Sequence, residues 1–537
     1  MPPLQLTAAD WTVLFAYLAG IAALGLAAGR KVKGSEGYFL GGRVFSKWLM
    51  IGQSFATGTR AEMPVALAGA VQTLGASAIW LQWKNLFATP FYWLMAPVYR
   101  RMKRTTLAEI VEDRYGPWMG AGYTAFALIF FTLNMASMLK GAGKVISQAT
   151  GGGIEVNHTI LAMTAVFVLY SVAGGLRAAV WTEVLQGFLI LTLSFLLIPL
   201  GWGVVGGLAG MKATLAPHMF SLSTPQGIGP WFIFMLTLNG LIGIVAQPHM
   251  VAVAGTGRDE RACRTGFTYG NFVKRFCTVG WAVAGLMVAA MFAQGKAGVP
   301  ALKEAEDAFG FACRRLLFSG GTGLMIACVL AANMAGCATF QVNSGALFTR
   351  GLYERYWAPG RPDEHYTRVG RWSGALITAA SLLYAMFFID RVLYSFLLTE
   401  TMATYVGIAV MGGFLWRRGN RWGAASGVGT AFAVNFALYA RMGKRLDHWD
   451  PDVFLAALAS GAAVFVAVSL LTRPEPREHS EAFFARLAEG PRLLFLDLFQ
   501  PKLRPLWAGY REDWTGFLMA WGVVAALLAL AWGLFAL

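Results

Sequence analysis

Charged residues are scarce in this chain. Asp, Glu, Lys and Arg make up 13% of its 537 residues, whereas 57% are hydrophobic. Soluble proteins usually carry about a quarter charged residues. With a mean hydropathy of +0.54, this composition excludes an ordinary soluble protein and predicts an all-α polytopic membrane protein.

Acidic residues are fewer still, 28 against 44 Lys and Arg, which gives a formal net charge of +16. No run of Lys and Arg alternates with aromatic residues, so nucleic acid is not an expected partner. The basic residues instead fall in short gaps between apolar segments, as they do in the loops of membrane proteins. The expected partners are therefore a lipid bilayer and a small-molecule solute.

Catalytic and metal-binding motifs are missing as well. The sequence has no HExxH motif, no Ser/His/Asp set and no paired carboxylates on facing helix positions, so we do not expect an enzyme. Its few cysteines form no CxxC pair and have no His at metal spacing, which predicts buried or lipid-facing thiols. No cofactor and no metal are expected beyond a possible sodium ion. The cysteines are Cys263, Cys277, Cys313, Cys328 and Cys337.

Long apolar segments recur along the whole chain. Each is long enough for a helix to cross about 30 Å of hydrocarbon. We predict about fourteen transmembrane helices, here called spans 1 to 14. They are 10–29, 46–75, 78–99, 118–148, 157–176, 178–205, 231–255, 271–295, 321–349, 372–389, 392–416, 422–440, 452–472 and 514–536.

The positions of Lys and Arg predict the orientation. Span 1 lacks a basic region before it and is followed by Arg30, Lys31 and Lys33, so it is not expected to be a cleaved signal peptide. With the N-terminus outside, 31 of the 44 Lys and Arg are counted in inner loops and at the span ends that border them, and 9 are counted in outer loops. This excess inside follows the positive-inside rule. We therefore predict a plasma-membrane protein with its N-terminus outside.

One inner loop has an amphipathic pattern. The loop 473–513 contains "EAFFARLAEGPRLLFLDLFQ", in which apolar residues cluster and charges interrupt them. This pattern predicts a segment lying in the membrane interface.

Several short motifs at the ends of the spans carry a resemblance to a known family. They are "YFLGGR" (38–43), "TTLAEIVEDRYG" (105–116), "YSVAGGLRAAVWTEVLQG" (170–187), "AQPHMVAVAG" (246–255) and "LFTRGLYERY" (347–356). In this order and spacing, over residues 10–420, the chain resembles the sodium/solute symporter family. Arg177 and Glu183 fall in the third motif and are interpreted as part of a structural hinge between spans 5 and 6.

The resemblance implies a LeuT-like architecture, in which spans 2–6 and 7–11 form two inverted five-helix repeats, each beginning with a broken helix. The residues support both breaks independently: Gly52, Gly58 and Pro64 interrupt span 2, and Asn239, Gly240, Gly243 and Pro248 interrupt span 7. The predicted units are 1–45 (an extra helix and inner loop), 46–205 (first repeat), 206–230 (outer loop), 231–416 (second repeat) and 417–537 (C-terminal helices with the loop 473–513).

The resemblance also implies a shared sodium site between spans 2 and 9. Its backbone carbonyls correspond to Ala56, Thr59 and Ala332. Its two adjacent hydroxyl side chains correspond to Ala335 and Gly336, so both hydroxyls are missing here. Because hard cations depend on the number of oxygen ligands, sodium binding is expected to be weakened.

Arg60 directly follows the carbonyl position Thr59, and Glu62 lies two residues further on. In an unwound stretch residues i and i+2 face the same side, so we expect these two charges to meet. Two interpretations stay open: a structural ion pair that fixes the broken helix, or a direct role in binding solute or coupling ion. In the second, Arg60 occupies the vacated sodium site and a proton on Glu62 replaces sodium. The competing expectation is that threonines near the site supply the missing oxygens. They are Thr57, Thr59 and Thr339.

Other polar residues lie inside the spans, where an unpaired charge is costly. Lys84 requires Glu62, a solute anion or a route to the interface, and Glu400 is expected to pair with a helix end or a shielded group. Helix-to-helix hydrogen bonding is an equally open role for the polar residues. The candidate substrate-binding residues are Gln53, Arg60, Glu62, Gln82, Lys84 and Asn239.

The sequence thus predicts a secondary active transporter that works by alternating access. Arg60 and Lys84 outnumber Glu62 in spans 2 and 3, which favours a solute with a carboxylate. The coupling ion is expected to be sodium or a proton, with sodium mattering less than the family resemblance implies. The alternative is a transporter-like sensor or binding protein that no longer couples or transports.

Overall fold

The structure is a computed structural model that describes residues 6–30, 34–60, 62–225, 228–389, 392–443, 449–497 and 509–535. These residues are almost entirely helical, and the only β contact among them is an isolated bridge between Phe45 and Gly257. The predicted all-α fold is confirmed. Lys31 and Lys33 of the first predicted inner loop, and 498–508 of the predicted amphipathic loop, lie outside the described residues.

The first half of the chain forms eleven helices in the described ranges. They are α1 Ala8–Gly29, α2 Gly34–Leu40, α3 Lys47–Gly58, α4 Glu62–Leu74, α5 Trp80–Trp83, α6 Thr89–Met102, α7 Leu107–Tyr115, α8 Pro117–Ala149, α9 Val156–Phe195, α10 Leu197–Val205 and α11 Gly207–Thr214.

The second half continues with helices of more variable length. They are α12 Pro230–Ala246, α13 Met250–Ala254, α14 Glu260–Ala293, α15 Ala308–Leu316, α16 Gly321–Phe348, α17 Asp363–Phe387, α18 Val392–Leu415, α19 Arg421–Met442, α20 Pro451–Leu471, α21 Arg477–Ala488, α22 Leu494–Asp497 and α23 Arg511–Phe535. Between them lie 3-10 turns at Gly41–Arg43, Ala76–Ile79, Pro217–Phe220 and Ala305–Asp307, and a π-helical turn at Thr349–Trp357.

Eight helices in the described ranges are long and apolar enough by themselves to cross a membrane. One of them runs from 156 to 205 and contains predicted spans 5 and 6. It bends at Gly175, where φ is +56° and an added Cβ would lie 2.4 Å from the Tyr38 carbonyl oxygen. Only glycine fits this turn. Spans 2, 3 and 7 consist of shorter helices, so the exact number of fourteen is not confirmed.

Both predicted helix breaks are present. α3 ends at Gly58 and is followed by Thr59 in an extended conformation, with φ −117° and ψ 114°. Pro64 then lies in the first turn of α4, where the missing N–H has no helical partner to lose. In the second break α12 ends before Gln247, which has φ −66° and ψ 128°, and Pro248 prevents the helix from continuing.

The five cysteines are buried and free, as the sequence predicted for thiols without a metal or disulfide role. Helix α16 is the most enclosed of the long helices, since nearly all of its residues are buried, and it packs against α1, α8, α9 and α17. The core therefore surrounds α16 and the two broken helices.

The described part of the amphipathic loop does not present its apolar side to a bilayer. Phe483, Phe484 and Leu487 of α21 are buried, and α21 packs on α6 and α7. Arg114 of α7 lies under these phenylalanine rings and donates to the backbone carbonyls of Gly413, at 2.9 Å, and of three further residues in the turn after α18. The loop is therefore amphipathic as predicted, but the apolar side of α21 packs on α6 and α7 and does not lie in the membrane interface.

Candidate functional site

The site is built around the break between α3 and α4. Arg60 lies within the break and Glu62 begins α4, with Arg60 Nη1 3.7 Å from Glu62 Oε1. Their side chains are only 5% and 3% exposed. The expected meeting of these two charges is present in the structure, and it occurs where the extended backbone at Thr59 ends α3 ahead of both residues.

Arg60 reaches from this break toward α8 and α16. Its Nη1 donates to Asn134 Oδ1 at 2.9 Å, and its guanidinium carbon lies 4.7 Å from the centre of the Phe340 ring. A Cβ added to Gly336 would lie 3.8 Å from Arg60 Cγ and 3.5 Å from the Thr57 carbonyl oxygen. The Arg60 side chain therefore passes beside the position that, by resemblance, carries a sodium-binding hydroxyl.

The second break, between α12 and α13, packs beside the first. Gln53 Nε2 of α3 donates to the Ala252 carbonyl at 3.1 Å, and Ser54 Oγ donates to the Val253 carbonyl at 3.3 Å. Backbone groups freed by one broken helix are thus satisfied by side chains of the other.

A cavity of about 50 Å³ lies between the two breaks and α14. It has room for a few water molecules but not for an organic solute, since ligand pockets usually measure about 300 Å³ or more. Its lining is rich in charge and amides: Arg60, Lys84, Lys274, Arg275, Glu400, His249, Gln82, Asn85, Gln247, Asn271, Ser54 and Thr57, with Gly58, Met63, Ile244, Val253 and Phe267.

Lys84 on the turn after α5 is paired with Glu400 of α18. Its Nζ lies 3.0 Å from Glu400 Oε2 and donates to Asn239 Oδ1 at 3.3 Å. Gln247 Nε2 donates to both oxygens of the Glu400 carboxylate at 3.0 Å. The side-chain partner expected for Lys84 was wrong, since Lys84 pairs with Glu400 and not with Glu62. Of the two partners expected for Glu400, a helix end or a shielded group, the structure has the second, the buried Lys84.

Lys274 and Arg275 lie inside predicted span 8 but were not among the candidate site residues. α14 begins at Glu260, so both residues lie well inside a helix, buried and lining the cavity. No ion pair involves either of them in the described parts of the chain. Arg275 Nη1 donates to the Gln82 carbonyl at 3.4 Å, but its Nε and Nη2 have no hydrogen-bond partner.

A signal for these two residues was present in the sequence. Asn271, Lys274, Arg275 and Thr278 recur at intervals of three and four, which places them on one face of a helix. Span 8 was placed at 271–295 from hydropathy alone, and hydropathy does not show that these polar residues share one helix face.

The other candidate substrate-binding residues take different positions. Gln82 lines the cavity. Gln53 donates a hydrogen bond to the Ala252 carbonyl of α13, and Asn239 accepts one from Lys84. Glu62 pairs with Arg60 and is not among the residues that line the cavity. The implied sodium-site positions are all buried, and one carbonyl among them, that of Ala56, accepts from Thr59 N at 3.2 Å. These positions are Ala56, Thr59, Ala332, Ala335 and Gly336.

A further buried carboxyl lies next to this region. Glu183 of α9 is fully buried, and its Oε1 accepts from Thr57 Oγ1 at 2.9 Å and from Thr339 Oγ1 at 2.6 Å. The hydroxyl hydrogens of both threonines are therefore directed to Glu183. Thr59 Oγ1 is buried without a hydrogen-bond partner.

The chain matches the family model described as "Sodium:solute symporter family" over residues 38–430. It is 22% identical to a sodium/glucose cotransporter of Vibrio parahaemolyticus, over 80% of this chain and 85% of the relative. It is 24% identical to the osmoregulated proline transporter OpuE of Bacillus subtilis, over 76% of this chain and 84% of the relative.

Among solved structures, a substrate-bound outward-open Na⁺-coupled sialic acid symporter has a TM-score of 0.76 and 20% identity. The similarity covers 88% of this chain and 99% of that one. Mhp1, a nucleobase-cation-symport-1 family transporter, has a TM-score of 0.54 at 13% identity. At these identities the two structures establish the fold alone, and both share it with this chain.

Proposed function

The chain belongs to the sodium:solute symporter family, and from this premise we propose that its central cavity carries a small organic solute with a carboxylate group. It is an integral membrane protein of the plasma membrane, in a family of secondary transporters rather than enzymes. The relatives named above are all transporters, so the sensor alternative is not favoured. We further propose that its N-terminus lies outside.

The charge of the cavity is the observation that carries the proposed solute class. Arg60 and Lys84 have partners in Glu62 and Glu400. Lys274 and Arg275 add two basic side chains to the cavity, and neither is within ion-pair distance of a carboxylate among the described residues. Buried unpaired charges are costly, and a solute carboxylate would supply the missing negative charge. A guanidinium with free donors, such as that of Arg275, binds a carboxylate especially well.

The small volume of the cavity supports alternating access. At about 50 Å³ it requires α3–α4 and α12–α13 to move apart before a solute fits. Both elements are interrupted by residues that end a helix, Gly58 and Pro248, so each half can shift without breaking a continuous hydrogen-bond ladder.

Family membership implies coupling to sodium, and we propose that in this chain Arg60 replaces the ion at the shared site. The aliphatic part of the Arg60 side chain passes beside Gly336, where a sodium-binding hydroxyl is missing, and its guanidinium continues to Asn134 and Phe340. Glu62 already faces this guanidinium at 3.7 Å, so a proton on Glu62 would remove the partner of a buried cation. Solute binding is therefore expected to depend little on sodium.

A thermal-shift screen of the purified protein tests the solute class. Succinate, glutamate, lactate, proline and glucose are each added in sodium chloride or in choline chloride. Because a ligand stabilises the state that binds it, we expect a carboxylate to raise the unfolding temperature equally in both salts. Lys274→Met should abolish the shift, whereas Arg258→Gln, at an exposed residue, should retain it.

The same screen can refute both parts of the proposal. Stabilisation by glucose alone would contradict a carboxylate solute. A shift that appears only with sodium would contradict replacement of the ion by Arg60.

A further inference from the structure

The segment 477–497, here called the strap, joins helices from two parts of the cavity wall. α14 contributes Lys274 and Arg275 to the cavity lining, and α18 contributes Glu400. α6 packs on α14, and α7 packs on α18. The strap helix α21 packs on both α6 and α7, so the strap connects the α14 part of the wall to the α18 part.

The contact between the strap and α6 is buried. Arg101, in the last turn of α6, is only 5% exposed. Its guanidinium donates to the strap carbonyl of Leu487 at 2.9 Å and to that of Pro491. The same guanidinium pairs with Glu260, the first residue of α14, at 2.7 Å. One buried arginine thus fastens the strap to α6 and α14 together.

A second buried contact fastens the end of the strap. Leu494 N donates at 2.7 Å to the carboxylate of Asp513 in α23. That carboxylate also pairs with Arg264 of α14 at 2.5 Å, and both side chains of the pair are 4% exposed. Separating such buried groups leaves them without partners, which is costly. The strap is therefore anchored on the α6 and α14 side.

The contact between the strap and the α7 and α18 side includes a more exposed ion pair. Arg486 Nη1 of the strap lies 2.8 Å from Asp113 Oδ2 of α7, and the arginine side chain is 41% exposed. Beside this pair, the ring of Phe483 stacks on that of Phe414 in α18 at a centroid distance of 6.0 Å. Exposed ion pairs are weak and are screened by salt. This side of the strap therefore releases before the anchored side does.

We propose that the strap is a latch that keeps the cavity closed toward the face that the proposed orientation places inside. While Arg486 holds Asp113, the strap ties the ends of α6 and α14 to α7 and α18. When this pair separates, the strap stays on α6 and α14, and these helices can move away from α18 and open a path from the cavity. The strength of the latch contact thus sets how often the inner side opens.

A cysteine in the cavity tests the latch without a solute. Ser54 of α3 lines the cavity, and the five native cysteines are buried, so the chain without Ser54→Cys gives the background. Inside-out membrane vesicles are treated with an impermeant thiol reagent, and the rate of modification of Ser54→Cys reports how often the cavity opens to the inner side. Adding Arg486→Gln should raise this rate about two- to fivefold, the range expected for the loss of one exposed ion pair.

Glu489→Gln is the matched control. Glu489 belongs to the same strap and pairs at 3.2 Å with Lys103 at the end of α6, and both side chains are exposed. Because α6 is on the anchored side, the loss of this pair should leave the modification rate unchanged. Arg486→Lys, which keeps the charge, should react at close to the wild-type rate.

Equal modification rates with and without Arg486→Gln would overturn the inference. So would an equal increase in Glu489→Gln, since any loss of charge from the strap would then have the same effect. The inference rests on the proposed alternating access and orientation, but not on the proposed solute. Failure of the thermal-shift screen would refute the carboxylate solute and leave the latch standing, whereas an increase seen only in right-side-out vesicles would reverse the orientation and place the latch on the other face.

Discussion

Breaking the Lys84–Glu400 pair should destabilise the protein strongly. The Nζ–Oε2 distance is 3.0 Å, and the side chains are only 3% and 10% exposed. Lys84→Met removes the cation, keeps most of the side-chain volume and leaves the Glu400 carboxylate with the Gln247 amide. Removing one partner of a buried pair costs about 3–5 kcal/mol, because the remaining charge stays buried.

The double variant Lys84→Met/Glu400→Gln provides the matched control. It removes both charges, and replacing a whole buried pair is often neutral. We therefore expect the double variant to unfold nearer to the wild-type temperature than Lys84→Met does. This recovery is the coupling that a double-mutant cycle isolates.

The five free cysteines provide the assay, since all are buried. A dye that fluoresces on reacting with thiols reports their exposure as the purified protein is heated. A Lys84→Met variant that unfolds like the wild type would refute the reasoning. So would a double variant that is no more stable than the single one.

The remaining predictions concern topology and the inner surface. A cysteine at Glu155, which is 74% exposed, should react with an impermeant thiol reagent from outside, whereas one at Glu364 should react only after permeabilisation; the opposite pattern would reverse the orientation. Arg114→Lys should lower the unfolding temperature, because a lysine cannot reproduce the fork of donors to four carbonyls. Each lost charge-assisted hydrogen bond is worth about 1.5–3 kcal/mol. Arg258→Lys, at an exposed residue, should have little effect, and an equal loss in both variants would refute the assigned role of Arg114.

The sequence predicted those features that depend on local chemistry. Gly58 and Pro64 mark the first break, and Pro248 marks the second, because these residues end helices whatever surrounds them. The meeting of Arg60 and Glu62 followed from the same break. Arg60 and Glu62 are only two positions apart, and the sequence displays such a short-range relationship directly.

Long-range pairings could not be predicted in this way. Lys84 and Glu400 are 316 residues apart, and no spacing rule connects them. Lys274 lies inside predicted span 8 but was not a candidate site residue, because hydropathy averages charge over a window and does not show which helix face carries it. The hydrogen bonds that Glu183 accepts from Thr57 and Thr339 join residues 126 and 156 positions apart, so they are visible only once α3, α9 and α16 are packed.

Sodium binding to the purified protein tests the central claim most directly. Equilibrium dialysis with radioactive sodium needs no knowledge of the solute. If the Arg60 guanidinium occupies the shared site, the wild type should bind no sodium saturably, and the variant Arg60→Ala/Ala335→Ser/Gly336→Ser should gain a binding site. Saturable binding by the wild type that is unchanged in Arg60→Ala would contradict the replacement of sodium by Arg60.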